Sequence, residues 1–110
     1  MTKVSRIEML KSFAEEEPEN PFNFYALALE FIEYDRNSAE LYFNKLLEEF
    51  PDYLPTYFHA AAFFADKGEI LFSKSIYEKG ILLAKSQKDE KALKEMKNSF
   101  QNFLFENDLY

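Results

Sequence analysis

The chain has no cysteine and no tryptophan, one histidine, two glycines and four prolines among its 110 residues. Without cysteine there are no disulfides and no thiolate metal sites, and nothing reports a redox compartment. The two glycines, Gly68 and Gly80, are too few for a glycine-rich phosphate loop and too far apart for a G-x-S-x-G elbow, and a lone His59 cannot build H-E-x-x-H. So few helix breakers imply long, uninterrupted helices joined by short turns. Long apolar runs are missing too. The densest, Tyr57 to Ala65, includes His59 and falls far short of a membrane span. Thr2–Lys11 alternates charged and apolar residues without the apolar segment of a signal peptide. Basic residues are the minority, 13 against 20 acidic, and the net charge of −7 repels a phosphate backbone. Lys85, Lys88, Lys91, Lys94 and Lys97 form the one Lys-rich stretch. Asp89, Glu90 and Glu95 are interspersed at i to i+4 spacing, which reads as a solvated helical face. Neither nucleic acid nor a membrane is therefore expected as a partner, and a cytoplasmic location is the expectation.

What the chain does contain is aromatic and periodic. Hydrophobic residues make up 47% of it, with 13 Phe and 7 Tyr, which is too apolar for a disordered chain. Its length suits one domain with a single small core. Aligned against itself, the sequence repeats: Pro18 and Pro51 are 33 residues apart, as are Phe24 and Tyr57, while Phe43 and Tyr77 are 34 apart. A period of that size in helical sequence means stacked helix pairs, because neither pair can bury its apolar face alone. The first unit reads Phe24-x2-Leu27-Ala28-x2-Phe31, then Ala39-x3-Phe43, then Pro51. The second reads Tyr57-x2-Ala60-Ala61-x2-Phe64, then Ser73-x3-Tyr77. The small residues Ala28, Ala39, Ala61 and Ser73 stand where helix axes can approach closely, with aromatics filling the grooves beside them.

This pattern resembles the tetratricopeptide repeat, with large, small and aromatic residues at these spacings and a closing proline. It departs in the first inter-helix turn, Asp35-Arg36-Asn37, which is one residue short and lacks glycine. Ala60 is smaller than usual, and Lys85 stands where proline would close the second unit. The resemblance implies an all-α fold of antiparallel helix pairs stacked as a short superhelix of about six helices. Its expected organisation is a single domain over 1–110, with a packing helix over 4–18, repeats over 21–53 and 54–87, and a capping helix over 89–106.

Local signals place the helices. Val4, Ile7, Met9/Leu10 and Phe13/Ala14 recur at helical spacing before Pro18. LKSFAEEEP ends like FNKLLEEFP, so the first helix reads as a lone second-half helix. Asn20-Pro21 opens a helix to about Tyr34, and Asn37 with Glu40 suggests the cap of the next, which stops before Pro51. Pro55 opens a fourth helix and Gly68 ends it in a left-handed cap. A fifth runs from about Glu69 to Ser86, with Gly80 inside it where the repeat wants a small residue. Asp89 caps a sixth, which carries Leu93, Met96, Phe100, Phe103 and Leu104 along one side.

No catalytic constellation stands out. His59, amid aromatics and alanines, reads as a partly buried polar group. Glu15–Glu17 and Glu48–Glu49 are consecutive helical residues that cannot converge on a metal. No enzyme activity, cofactor or metal site is expected. What the resemblance implies instead is binding of another protein or peptide in a concave groove lined by the first helix of each pair. The groove positions fall on Phe22, Tyr25, Leu29, Ile32 and Glu33 in the first unit, and on Pro55, Phe58, Ala62, Ala65 and Asp66 in the second. They carry none of the Lys, Arg or Asn by which family members clamp an acidic tail. Aromatic and aliphatic with acidic edges at Glu33 and Asp66, this surface suits an apolar helix or extended segment with basic flanks. The same aromatics at helical spacing also fit a core, and a terminal helix lying across the groove would bury them. The alternative is a structural homo-oligomer, a homodimer first of all, that associates through Phe100, Phe105, Leu109 and Tyr110.

Overall fold

Side-chain caps set the starts of four helices, by supplying the acceptors that the first turn of a helix lacks. The computed structural model describes residues 2–109, and Tyr110 of the self-association set lies outside them. In α1 (Lys3–Glu16), Thr2 Oγ1 accepts from the Ser5 N–H. Asn20 Oδ1 accepts from the Phe22 N–H to open α2 (Pro21–Phe31), with proline at the first position, where no N–H is needed. Asp89 caps α6 (Glu90–Glu106) by accepting from the Ala92 N–H. The cap of α3 (Arg36–Glu49) is Asp35, a correction to the expectation of Asn37, which lies inside the helix. Asp35 receives both the N–H and the hydroxyl of Ser38, at 3.4 and 2.8 Å, and these bonds hold its carboxyl below the usual range. The remaining helices are α4 (Pro55–Asp66) and α5 (Ile70–Ser86), and no strand occurs among the described residues.

The last three helices end alike. In each, an N–H reaches back to the carbonyl five residues earlier: Glu69 to Phe64, Asp89 to Ala84 and Leu109 to Leu104. This closure needs a left-handed residue just before the donor. Gly68 supplies it after α4, as expected, but Lys88 and Asp108 do so after α5 and α6, with φ of 57° and 55°. α5 thus runs through Lys85, where the repeat pattern calls for a closing proline, and is closed three residues later by the left-handed turn at Lys88. Helix α2 stops at Phe31, short of the expected Tyr34. The N–H groups of Tyr34 and Asp35 both turn back to the Phe31 carbonyl, and the Tyr34 ring stacks on Phe31 at 6.0 Å.

The chain forms two compact units, Met1–Thr56 and Tyr57–Tyr110. The first holds α1, α2 and α3. Phe24, at the start of α2, stacks on Phe50 just past the end of α3, while Phe31 at the end of α2 stacks on Tyr42, so the two helices run antiparallel. Leu27, Ala28, Ala39, Phe43 and Leu46 are fully buried. α1 contributes Ile7 and Ala14 to this core and is tied to α2 by a two-bond Arg6–Glu30 ion pair at 3.0 and 3.2 Å. Glu30 raises the Arg6 pKa, through its hydrogen bonds first and its charge second.

The second unit holds the rest of α4 with α5 and α6. Phe64, late in α4, meets Phe72, early in α5, at 4.7 Å. The buried Ser73 donates its hydroxyl to the Ala61 carbonyl at 2.7 Å, satisfying the one polar group at that close approach. Gly80 is closer still: a Cβ built there would sit 2.7 Å from both Tyr57 Cβ and Met96 Cε. Tyr77 packs at a tilt against Phe100 and Phe103, at 5.3 and 5.2 Å, while Gly80, further along α5, meets Met96, earlier in α6, so the two helices run antiparallel. No helix among the described residues is long and apolar enough to cross a membrane.

Candidate functional site

Along α4, Phe58, Ala62, Ala65 and Asp66 follow at i, i+4, i+7 and i+8, so they share one stripe of the helix. The opposite side carries the buried Ala60, Phe63 and Phe64. The stripe does not pack away: Phe58 stays 40% exposed, and Ala62 and Asp66 are exposed as well. It forms one wall of a cleft of about 600 Å3 in the second unit. The buried Tyr77 from α5 and Phe103 from α6 also line it, and Ser99, Asn102, Glu106 and Asn107 complete the lining from α6 and its end. Four of the five groove positions of the second unit, Phe58, Ala62, Ala65 and Asp66, are therefore brought together on one concavity.

Sequence reasoning missed the α6 wall, because α6 was expected to act as a cap. The signal lay in the spacing of Ser99, Asn102 and Glu106, a polar stripe at i, i+3 and i+7 beside the buried Met96 and Phe103. The lining is amphipathic, with aromatic surface from Phe58, Tyr77 and Phe103 and carboxylates from Asp66 and Glu106. Burial, and then the charge of Glu106, pushes the Tyr77 phenol up, so it stays a neutral donor at physiological pH. Asn107 is anchored, since its side-chain amide donates to the Phe103 carbonyl at 2.8 Å. His59 points elsewhere in the stripe pattern; it is half-buried beside Phe58, and burial lowers its pKa, which favours the neutral imidazole.

The corresponding face of α2 lies in the first unit. Phe22 is 53% exposed and Glu33 is exposed, while Tyr25, Leu29 and Ile32 are half-buried. Tyr25 meets Tyr53 edge-on at 5.7 Å, and burial, then Tyr53, raises its pKa. It is thus partly a packing residue. α1 does not lie across this face: its ion pair goes to Glu30, and Lys11 sits 5.8 Å over the Phe31 ring, both on the other side of α2.

Of the residues expected to self-associate, Phe100 is half-buried in the ring cluster with Tyr77 and Phe103. Leu109 is half-buried where its N–H closes α6, and Phe105 is 64% exposed. Among the described residues, no three His, Cys, Asp or Glu side chains converge so as to hold a metal ion.

No protein-family model matches the chain, and no curated protein matches it. Two solved structures do. One is the solution structure of a tetratricopeptide repeat domain protein from Salinibacter ruber, 31% identical over 79% of this chain and 89% of that one, with a TM-score of 0.73. The other is the solution structure of a protein from Bordetella parapertussis, covering 94% of this chain and 90% of that one with a TM-score of 0.76. At 18% identity the second likeness concerns the fold alone.

Proposed function

Because the chain belongs to the tetratricopeptide repeat family, whose helical scaffolds serve protein interaction, we propose that it is a non-enzymatic binding module for an apolar peptide or helix. The observation that carries the reading is the second-unit cleft, where exposed Phe58 and Ala62 line a concavity large enough for side chains of a partner. Recognition sites are concave and set apolar surface beside convergent polar groups, and this lining supplies both, from Phe58, Ala62 and Ala65 on α4 and from Ser99, Asn102 and Glu106 on α6. In the first unit, Phe22, Tyr25, Leu29, Ile32 and Glu33 offer a second face of the same kind.

Phe58 is the best single handle. Its ring is 40% exposed, so Phe58→Ala removes a contact surface at little cost to the fold, whereas Tyr25→Ala would also strip the Tyr53 packing. In affinity capture with folded baits, wild type is expected to retain a partner that Phe58→Ala loses, a drop of about tenfold or more for an aromatic anchor. Equal retention by both baits would remove the cleft from the interface.

A second reading, self-association, is favoured by one observation: Phe105 on α6 is a large apolar ring that stays 64% exposed. If it forms a two-fold contact, Phe105→Ser should convert a dimer to a monomer in light scattering after size exclusion. A wild-type monomer, or a dimer unmoved by the change, would dismiss that surface.

A further inference from the structure

The outer side of α5 carries a stripe that the fold does not use. Its core side holds Ser73, Ile76, Tyr77, Gly80 and Ala84, all buried. On the opposite side Leu71 and Leu82 stay 75% and 65% exposed, although leucine is among the residues most often buried. The two are three helical turns apart, which returns both to one line of the helix. Ser75 and Glu78 lie between them on that line, at i+4 and i+7 from Leu71, and Lys74 and Lys79 flank it. Among the described residues Glu78 has no ion pair, and neither do Lys74 and Lys79. Lys74 precedes Glu78 by four residues, which is the weaker order for a pair within one helix. The stripe thus has an apolar group at each end, with an acid and a base near its middle. None of Leu71, Lys74, Glu78 and Leu82 lines the cleft.

We infer that this stripe docks on its own copy, α5 against α5, antiparallel about a two-fold axis, with Leu71 of each on the partner's Leu82. A two-fold contact must be self-complementary, and this stripe is. When Leu71 stands level with the partner's Leu82, Ser75 stands level with the partner's Glu78. Glu78 then falls within one residue's rise, about 1.5 Å, of the partner's Lys74. Glu78 and Lys74 lean to the same flank of the stripe, and a two-fold axis across the helices brings like flanks together. The symmetry therefore forms this ion pair twice, once on each side of the axis. Parallel helices would instead set Glu78 against the partner's Glu78, which like-charge repulsion opposes. Each copy keeps its own cleft, so the dimer is a bivalent form of the binding module. The contact lies on a different helix from Phe105 and stands or falls separately from that surface.

One helix pair buries less than the about 1,600 Å2 of a standard interface, so the dimer is expected to depend on concentration. Sedimentation equilibrium of the full chain, from roughly 10 µM to 1 mM, measures it. Wild type should dimerise, and Leu71→Ser/Leu82→Ser should raise the dissociation constant by about tenfold or more. Both leucines are exposed, so the core is spared, and circular dichroism checks that each variant keeps the helical fold. Glu78→Lys and Lys74→Glu should each weaken the dimer by setting like charges across the contact. Mixed in equal amounts, these two variants should form a heterodimer, because the mixture restores both ion pairs. Single cysteines, which the chain lacks, report the orientation. Oxidised together, Leu71→Cys and Leu82→Cys chains should cross-link to each other and not to themselves. A wild-type monomer across the range, a dimer that survives the leucine changes, or charge variants that fail to associate would each overturn the contact. A dimer lost only in Phe105→Ser would overturn it in favour of the α6 surface.

Discussion

Phe43→Ala is expected to cost about 3–5 kcal/mol, the range for deleting a fully buried aromatic ring. Phe43 has no exposed surface, and neither do Ala39, four residues before it, and Leu46, three after it, along the same face of α3. The loss has two parts: the transfer free energy of the ring, and the cavity left where close-packed neighbours cannot collapse. Small domains have total stabilities of about 5–15 kcal/mol, so this one change would remove a large share. Urea unfolding followed by far-UV circular dichroism would read it as a large fall in midpoint. A loss below about 1 kcal/mol would mean that the site relaxes freely and that Phe43 does not organise the first unit.

Gly80→Val is expected to destabilise the second unit by about 3 kcal/mol, and Gly80→Ala by about 1 kcal/mol. The sign for alanine is the informative part. Alanine in a helix interior is intrinsically better than glycine by about 1 kcal/mol, so an unconstrained site would gain stability. Here the new Cβ meets Met96 Cε and Tyr57 Cβ, each at 2.7 Å. Met96 Cε is the end of a flexible side chain and can swing aside. Tyr57 Cβ is one bond from the backbone, so relief there requires α4 and α5 to separate. Valine adds two methyls and allows less choice of rotamer. A raised urea midpoint for Gly80→Ala would show that the helices part without cost and that the close approach carries no packing energy.

Much of this fold was legible because its spacings repeat. Ala28, Ala39, Ala61 and Ser73 were read as points of close approach, and all four are fully buried. Pro21, Pro55 and Gly68 marked boundaries because each restricts or frees the backbone in a way no neighbour imitates. The misplaced features have physical reasons too. Asp35 and Asn37 are both good caps two residues apart, and sequence cannot decide between them. The Ser38 hydroxyl decides it, by giving Asp35 a second bond. Lys88 and Asp108 take left-handed turns that non-glycine residues seldom adopt, so nothing in the string announces them. At the candidate site, period alone marks the α4 stripe and a polar stripe on α6 through Ser99, Asn102 and Glu106, but not that the two line one cleft.

The sequence by itself determined the helices, their pairing and the family, because period, small residues and breakers are local properties that survive without coordinates. It also settled which side of α4 turns outward, since apolar periodicity assigns the inner side first. Only the tertiary structure decided that α6 lines a cleft instead of covering it, that Glu106 joins Asp66 there, and that Gly80 has no room for a methyl group. Those facts depend on the distance and rotation between helices far apart in sequence. Side chains such as Met96, Tyr57 and Tyr77 set these by packing against one another, and no single segment encodes the outcome.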